Sequence, residues 1–226
     1  MKKFLMIMAA LTVTMSLTAC GKEQKVKELE ELEQGEQNET TSSNVIVAYV
    51  TSWTTVVPNP DRITHINYAF GGVAKDFSTL EIDNVSRLES LVKLKSKSPK
   101  LKICLSVGGW GRGNFSEMAA SDEYRKAFAA DCAKKVKSLN IDGIDIDWEF
   151  PTNSSAGISA SPNDKANFTL LMKDLREALG QGKLLTLATV CSAQYIDFKG
   201  ILPYIDFVNI MAYDMASAPY HNVPLY

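Results

Sequence analysis

Residues 141–151 read IDGIDIDWEFP, and this stretch carries more structural information than any other part of the chain. Side chains alternate between the two faces of a β-strand. One face would therefore hold three acids and the other three large apolar residues, namely Asp145, Asp147 and Glu149 against Ile144, Ile146 and Trp148. Because the apolar face must be buried against other elements, the acids are not simply the solvent-exposed face of an edge strand. The stretch predicts a strand that is buried on both faces, as in a parallel sheet.

Five other short apolar runs share this character and are bounded by Gly, Pro or polar residues. The six predicted strands are 45–50, 63–70, 101–107, 141–148, 183–190 and 206–213. Apolar residues at helical spacing lie between several of them, at 83–97, 121–139 and 163–180. Repeated strand–helix units predict an α/β fold whose parallel sheet is either open or closed into a barrel. No glycine-rich phosphate-binding sequence follows the first strand, so nothing supports nucleotide binding.

The composition narrows the class of protein. The chain has 226 residues and a net charge of −2, with 46% hydrophobic and 22% charged residues, as in an ordinary globular protein. Because there is no basic excess to neutralise phosphates, the composition argues against a nucleic-acid partner. The two histidines, His65 and His221, do not form a cluster with zinc-ligand spacing. We therefore expect neither a metal nor a cofactor.

The first twenty residues have the pattern of an export signal. A short basic start precedes an apolar segment, residues 4–17, that is too short to span a bilayer comfortably. Residues 17–20 read LTAC, which resembles the bacterial lipobox, so Cys20 is the predicted lipidation site and lipid anchor. The alternative is an ordinary signal peptide with a chance cysteine. Both alternatives predict an exported protein, either a cell-envelope lipoprotein or an extracellular one.

Two further segments complete the predicted organisation. Residues 21–44 are rich in Glu and Lys with few apolar residues, and they predict a flexible, charged tether. The remaining cysteines, Cys104, Cys132 and Cys191, are odd in number and widely spaced, which argues against a disulfide framework. We expect all three to be buried thiols.

The three acids on one strand face suggest chemistry. Like charges this close, partly buried, cannot all be ionised, so we expect a shared proton and one raised pKa. A carboxylic acid that keeps its proton near neutral pH suits general acid catalysis. Clustered carboxylates also suit magnesium or calcium. Because no further acid pair is evident at the neighbouring strand ends, acid catalysis is the preferred interpretation.

Four segments together resemble one known family. The sequence DGIDIDWE at 142–149 resembles the D-x-x-D-x-D-x-E signature of glycoside hydrolase family 18, which contains the chitinases. SVGGW at 106–110 is similar to the family's S-x-G-G sequence, MAYD at 211–214 to its M-x-Y-D sequence, and NYAFGGV at 67–73 is also typical. The resemblance covers 45–226, the whole predicted folded part, in the family's order.

The resemblance implies a TIM barrel with its site at the carboxyl ends of the strands. It implies that Glu149 protonates the glycosidic oxygen while the substrate's own acetamido group attacks the sugar carbon, with net retention. Asp147 would orient the acetamido group, and Asp145 would share the proton of Asp147. Tyr213 would hydrogen-bond the acetamido oxygen.

The resemblance also implies supporting roles around these residues. Met211 would shape the pocket and Asp214 would bind the sugar, while Ser106 would support Asp145. The other residues that the motifs place in structural support are Gly108, Gly109 and Asp142. Four aromatic residues at strand ends would line the substrate site or pack in the core, namely Tyr49, Phe70, Trp53 and Trp110.

The chain departs from the family in one respect. A complete barrel has eight strands and about 250 residues, but only six strands are predicted here. We therefore expect an incomplete barrel, truncated in the loop after the sixth strand. The leading functional hypothesis is a monomeric enzyme that cleaves β-1,4-linked N-acetylglucosamine polymers such as chitin. The alternatives are an endo-β-N-acetylglucosaminidase acting on N-glycans or peptidoglycan, and a non-catalytic chitin-binding lectin.

Overall fold

The computed structural model describes residues 44–214, whose strands form one curled sheet with helices on its outer face. The strands are β1 (Val47–Thr51), β2 (His65–Val73), β3 (Leu80–Ile82), β4 (Lys102–Gly108), β5 (Gly143–Asp147), β6 (Leu184–Val190) and β7 (Phe207–Met211). The helices are α1 (Val85–Val92), which continues into a 3₁₀ turn (Lys93–Ser96), α2 (Phe115–Ala120), α3 (Asp122–Ser138), α4 (Asp164–Leu179) and α5 (Phe198–Ile201).

Six of these strands are parallel. Their order in the sheet is β1-β2-β4-β5-β6-β7, and the short β3 pairs antiparallel with β2. On β5, Asp145 lies opposite Ser106 of β4 and Thr186 of β6, so the three side chains share one face of the sheet. The parallel α/β fold predicted from the sequence is confirmed.

Contacts between distant strands show that the sheet curls. His65 on β2 and Phe207 on β7 meet edge to face, with ring centroids 5.5 Å apart. In a flat sheet these strands would be about 19 Å apart, since neighbouring strands are spaced by about 4.8 Å. The Tyr49 hydroxyl on β1 likewise reaches Asp145 on β5 at 2.8 Å. The concave face of the sheet therefore encloses an interior, as the wall of a barrel does.

The main core lies between the outer face of the sheet and the helices. Trp148 follows β5, stacks on Phe115 of α2 with centroids 5.3 Å apart, and meets Phe168 of α4 edge to face. Ile144 and Ile146 on the same face are fully buried. Burying each such side chain stabilises the fold by about 1.5–3 kcal/mol. This core explains the apolar half of the alternating pattern in 141–148.

Helix α3 has a side-chain cap at its start and an ion pair to the neighbouring helix α4. Ser121 caps α3 by accepting a hydrogen bond from the backbone N–H of Tyr124, and Asp122 lies in the first turn, where acids are favourable. Arg125 of α3 forms a buried ion pair with Asp174 of α4 at 2.9 Å. These two helices therefore cover the sheet as a fixed pair.

Within the described residues, three elements were not predicted from the sequence patterns, namely β3, α2 and α5. Each is too short to show a period: β3 has three residues, α5 four and α2 six. Strand β5 also ends at Asp147, one residue earlier than predicted. Among residues 44–214, no helix has both the length and the apolar character needed to cross a membrane.

Candidate active site

The acids of the 142–149 motif lie along β5 and just past its end. Asp145 is central in the strand, Asp147 is its last residue, and Glu149 lies two residues further, in a bend. The backbone N–H of Gly109 donates to the Asp147 carbonyl oxygen at 2.9 Å where the ladder stops. Glu149 is therefore placed by the loop after β5 and not by the sheet.

Asp145 is fully buried and saturated with hydrogen bonds. Four side chains donate to its carboxylate, namely Tyr49 (2.8 Å), Ser106 (2.8 Å), Thr186 (2.6 Å) and Asn209 (3.1 Å). Burial raises the pKa of Asp145, and these four donors oppose the rise because they favour the ionised form. Asp145 thus connects four strands of the barrel wall, and none of its four donors is Asp147.

Asp147 has the opposite environment. The residue is 5% exposed, and its Oδ1 atom has no hydrogen-bond partner among residues 44–214. Burial raises the pKa of Asp147 to about 8, and the nearby charges of Glu149 and Asp145 add to the rise. The carboxyl group is therefore largely protonated at neutral pH, and its unpaired oxygen is available to a ligand.

Glu149 is half-buried at the mouth of the same interior. Burial raises its pKa above the ordinary value, and the charge of Asp214 adds to the rise. The peptide bond that follows it, Glu149–Phe150, is cis. A carboxyl group with a raised pKa beside open space has the properties of a proton donor.

The residues after β7 complete the opening. A cavity of about 540 Å³ has in its wall Trp110, Glu149, Phe150, Met211, Tyr213 and Asp214. Burial raises the pKa of Tyr213, with smaller effects from Asp147, Glu149 and Asp214, so its hydroxyl stays protonated and able to donate. The structure thus brings Met211, Tyr213 and Asp214 into one cavity wall with Glu149.

A smaller cavity of about 200 Å³ shares Met211 and Tyr213 with the first. Asp147, Tyr49 and Phe70 also line it. Asp147 therefore borders a small cavity that adjoins the larger one at Met211 and Tyr213. Tyr49 and Phe70 belong to this small cavity and are not core aromatics of the helical layer.

Glycines allow β4 and its loop to approach the acids. A Cβ atom on Gly108 would lie 2.0 Å from the Asp147 carbonyl oxygen, and one on Gly109 would lie 2.9 Å from the Phe70 ring. Their φ angles, +128° and +94°, are also unfavourable for other residues. Trp110 then projects from the loop with 63% of its surface exposed, and Trp53 near Phe70 is 69% exposed.

Asp142 lies at the opposite end of β5, away from both cavities. Its Oδ2 atom accepts hydrogen bonds from Lys95 Nζ and from the Ile103 backbone N–H, both at 2.8 Å. Its contacts are those of a residue that joins β5 to β4 and to the turn after α1.

Several residues at the site were missed by sequence analysis. Thr186 and Asn209 donate to Asp145, and Phe150, Val190 and Cys191 line the larger cavity. Period-two alternation along 183–190 and 206–213 could have placed Thr186 and Asn209 on the inner face. The expectation of three buried thiols holds for Cys104 and Cys132 but is wrong for Cys191, because the residue follows the end of β6 and is exposed.

Some predictions fall on residues that the structure does not describe. These are the export signal with Cys20, the tether before residue 44, and the residues after 214, including His221. Among residues 44–214, no group of three or more His, Cys, Asp or Glu side chains is arranged to hold a metal ion.

A curled parallel sheet with buried acids at its carboxyl end defines an α/β-barrel protein with a carboxylic-acid site. The family model for glycosyl hydrolases family 18 matches residues 45–226. The chain therefore belongs to glycosyl hydrolases family 18, and its sheet is part of a TIM barrel of that family.

Individual relatives agree with this assignment. Chitinase A1 of Niallia circulans is 30% identical over 83% of this chain, and chitotriosidase-1 of Mus musculus is 35% identical over 82%. The chitinase domain of spore coat protein CotE from Clostridium difficile superposes with a TM-score of 0.75 at 31% identity, covering 80% of this chain. A family 18 N-acetylglucosaminidase from Paenibacillus barengoltzii gives a TM-score of 0.71 at 39% identity over 76%.

The chain spans only part of these relatives. It covers 37% of the Niallia circulans chitinase and 45% of the mouse protein. It covers 54% of each of the two solved chains.

Proposed function

We propose that this protein hydrolyses β-1,4-linked N-acetylglucosamine polymers, chitin or its oligosaccharides, with Glu149 as the general acid. The observation that carries the proposal is that two acids in different environments border adjoining cavities. Glu149, with its raised pKa, borders the larger cavity, and Asp147, buried with an unpaired oxygen, borders the smaller one. The chitinase names of several relatives support the same substrate class.

Retaining, substrate-assisted catalysis fits this geometry. Glu149 would give its proton to the glycosidic oxygen as the bond from that oxygen to the sugar carbon breaks. The acetamido carbonyl oxygen would attack that carbon from the other face and form an oxazolinium ion. Water would then open the ion and return a proton to Glu149, which acts as the base in this second step.

The two cavities suggest how the substrate would sit. The reacting sugar would occupy the larger cavity, with Asp214 and Trp110 in its wall, and the acetamido group would enter the smaller one. There the unpaired oxygen of Asp147 would accept the acetamido N–H, and the Tyr213 hydroxyl would donate to the acetamido oxygen. Because Asp147 is largely protonated at neutral pH, it is a poor nucleophile, which favours assistance by the substrate. Proton sharing between Asp147 and Asp145 belongs to the same proposal.

A second candidate function is an endo-β-N-acetylglucosaminidase acting on N-glycans or peptidoglycan. The likeness to the Paenibacillus barengoltzii protein, at 39% identity, supports N-acetylglucosaminidase activity in general. A chitin-binding lectin on the same fold fits less well, because Glu149 is present where a proton donor is needed. We keep export, with a lipid anchor at Cys20 and a monomeric state, as proposals from the sequence pattern alone.

The experiment is hydrolysis of a fluorogenic N,N′-diacetylchitobioside by the full chain and by its Glu149→Gln variant. Glu149→Gln should lower kcat by about 10³-fold or more, because general acid catalysis contributes about 10²–10⁴-fold. Binding of N-acetylated oligosaccharides should persist. Glu89→Gln, on the exposed face of α1, is the matched control and should leave hydrolysis unchanged.

The outcomes separate the candidates. Turnover that survives in Glu149→Gln would remove Glu149 as the acid. Release from glycoprotein or peptidoglycan substrates but not from the chitobioside would favour the second function. Oligosaccharide binding by the folded wild-type chain without any turnover would favour the lectin.

A further inference from the structure

The segment that follows Glu149 is held by an aromatic residue from another loop. Phe150 stacks on Tyr195, which lies between β6 and α5, with ring centroids 4.8 Å apart and planes 7° from parallel. The Tyr195 hydroxyl accepts a hydrogen bond from Asn153 Nδ2 at 2.7 Å. One side chain therefore contacts the segment at two points, by its ring and by its hydroxyl.

This contact matters because the sheet does not hold Glu149. Strand β5 ends at Asp147, and the next regular element, α4, begins only at Asp164. Between them the chain forms no helix or strand, and Phe150 directly follows Glu149 in this segment. Phe150 is 8% exposed, lines the same cavity as Glu149, and meets the Trp110 ring at 6.4 Å.

We infer that Tyr195 is a positioning residue that fixes Phe150, and through it directs the carboxyl group of Glu149 into the cavity. The inference rests on the proposed function, in which Glu149 is the proton donor. Tyr195 acts through Phe150 and Asn153.

A second side chain, Asp164, holds the other end of the same loop. Asp164 is fully buried and accepts hydrogen bonds from the Thr152 and Ser161 backbone N–H groups and from Ser116 Oγ. This anchor fixes the far side of the loop from Thr152 onward. Phe150 lies between the end of β5 and that anchor, where it packs on Ala188 and Met211 and stacks on Tyr195. The stack is its contact with the loop after β6, and it restrains the direction in which the segment leaves β5.

The positioning role predicts a change in the proton affinity of Glu149. The ionisable groups that face Glu149 are Asp147 at the end of β5, and Tyr213 and Asp214 after β7. No Lys or Arg of the described chain lines the cavity. If Phe150 loses its stack, water reaches the back of Glu149, its burial decreases and its pKa falls.

The test compares Tyr195→Leu, which removes the ring and the hydroxyl, with Tyr195→Phe, which keeps the ring. Tyr124→Leu is the matched control, because Tyr124 forms a ring pair with Phe77 (centroids 5.6 Å apart) and does not line the cavity. In Tyr195→Leu we expect kcat to fall about tenfold with KM within about twofold, as for a displaced catalytic group. Tyr195→Phe should retain most of kcat, and Tyr124→Leu all of it.

The pH profile separates positioning from a structural effect. Activity that depends on a protonated Glu149 is lost as pH rises through its pKa, so Tyr195→Leu should move the basic limb to lower pH. A fall in kcat with an unmoved limb in folded protein would overturn the inference, as would a change confined to KM. Circular dichroism of each variant establishes that it is folded.

A direct titration keeps the inference testable without turnover. The side-chain carboxyl carbon of Glu149 can be followed by ¹³C NMR in glutamate-labelled protein, with Glu149→Gln assigning the signal. Its pKa should be lower in Tyr195→Leu than in wild type, and an equal pKa would overturn the inference. Unchanged hydrolysis in Glu149→Gln would instead reject the proposed function, whatever the titration shows.

Discussion

The two ends of β5 each carry a carboxyl group, in opposite environments. Asp142, before the strand, accepts from Lys95 and from the Ile103 backbone N–H, and Lys102 lies 3.9 Å away. Asp147, at the other end, is more deeply buried, yet its Oδ1 atom has no hydrogen-bond partner in the described part of the chain. A paired carboxylate stabilises the fold, whereas an unpaired buried one costs stability and can contact a ligand. Burial without a partner, rather than burial alone, distinguishes the functional end of this strand.

Asp145 lies between these extremes and refines the comparison. It is as buried as Asp147, but four neutral donors from four strands surround it. Its carboxylate is therefore satisfied without any cation. Along the strand, Asp142 is paired with a charged group, Asp145 accepts only neutral hydrogen bonds, and Asp147 has one oxygen atom without a partner among the described residues.

The largest expected effect is on the pH dependence of stability. The pKa of Asp147 is about 8 in the folded chain and 3.8 when unperturbed, so the folded state holds a proton over that interval that the unfolded state has lost. This contribution to stability is complete below about pH 4 and decreases as pH rises from there through 8, by at most about 6 kcal/mol at about 1.36 kcal/mol per pKa unit. Asp147→Asn cannot titrate and should remove most of this slope. Urea unfolding of both proteins at pH 4 to 9 measures it, and identical slopes would mean that Asp147 is ionised in the fold.

The second largest effect is expected on the catalytic rate of the same variant, Asp147→Asn. If Asp147 passes its proton to Asp145 and its carboxylate then stabilises the positive charge on the acetamido nitrogen, Asp147→Asn should lower kcat on N-acetylated substrates by about 10²–10³-fold, because an amide keeps the acceptor oxygen but cannot ionise. Initial rates on the chitobioside measure the change. An unaffected rate would contradict assistance by the substrate.

The alternation of 141–148 was enough to predict β5 and its two faces, because strand period is a local property. The short elements were not predicted, because a segment such as the three-residue β3 is too short to show a period. The partners of Asp145 were harder to predict, since Thr186 and Asn209 reach it only through the pairing of strands far apart in sequence. The stack of Tyr195 on Phe150 leaves no pattern in the sequence, because it joins two irregular loops. Residues of the site that belong to a motif were therefore found, and those positioned by tertiary contacts were not.

The next effect concerns the paired end of the strand. Asp142→Ala leaves the Ile103 N–H and Lys95 without their acceptor, so the free energy of unfolding should fall by about 2 kcal/mol. The pair with Lys102 adds little, because that side chain is 49% exposed. Chemical denaturation at pH 7 measures the loss, and kcat of the folded variant should match wild type. A large fall in kcat with little change in stability would reverse the distinction between the two ends.

The smallest effect is expected at Asp145, where hydrogen bonds are redundant. Ser106→Ala removes one of four donors and leaves the Asp145 carboxylate with three, so no buried charge becomes unsatisfied. The free energy of unfolding should therefore fall by only about 1 kcal/mol, the usual net value of one hydrogen bond. Thr186→Val removes a donor to the other oxygen and should behave alike, which makes it the control for any effect peculiar to β4. Parallel urea titrations of the two variants and of Asp142→Ala rank these losses. A loss at Ser106 as large as at Asp142 would show that the four donors are not redundant and that Asp145 depends on each of them.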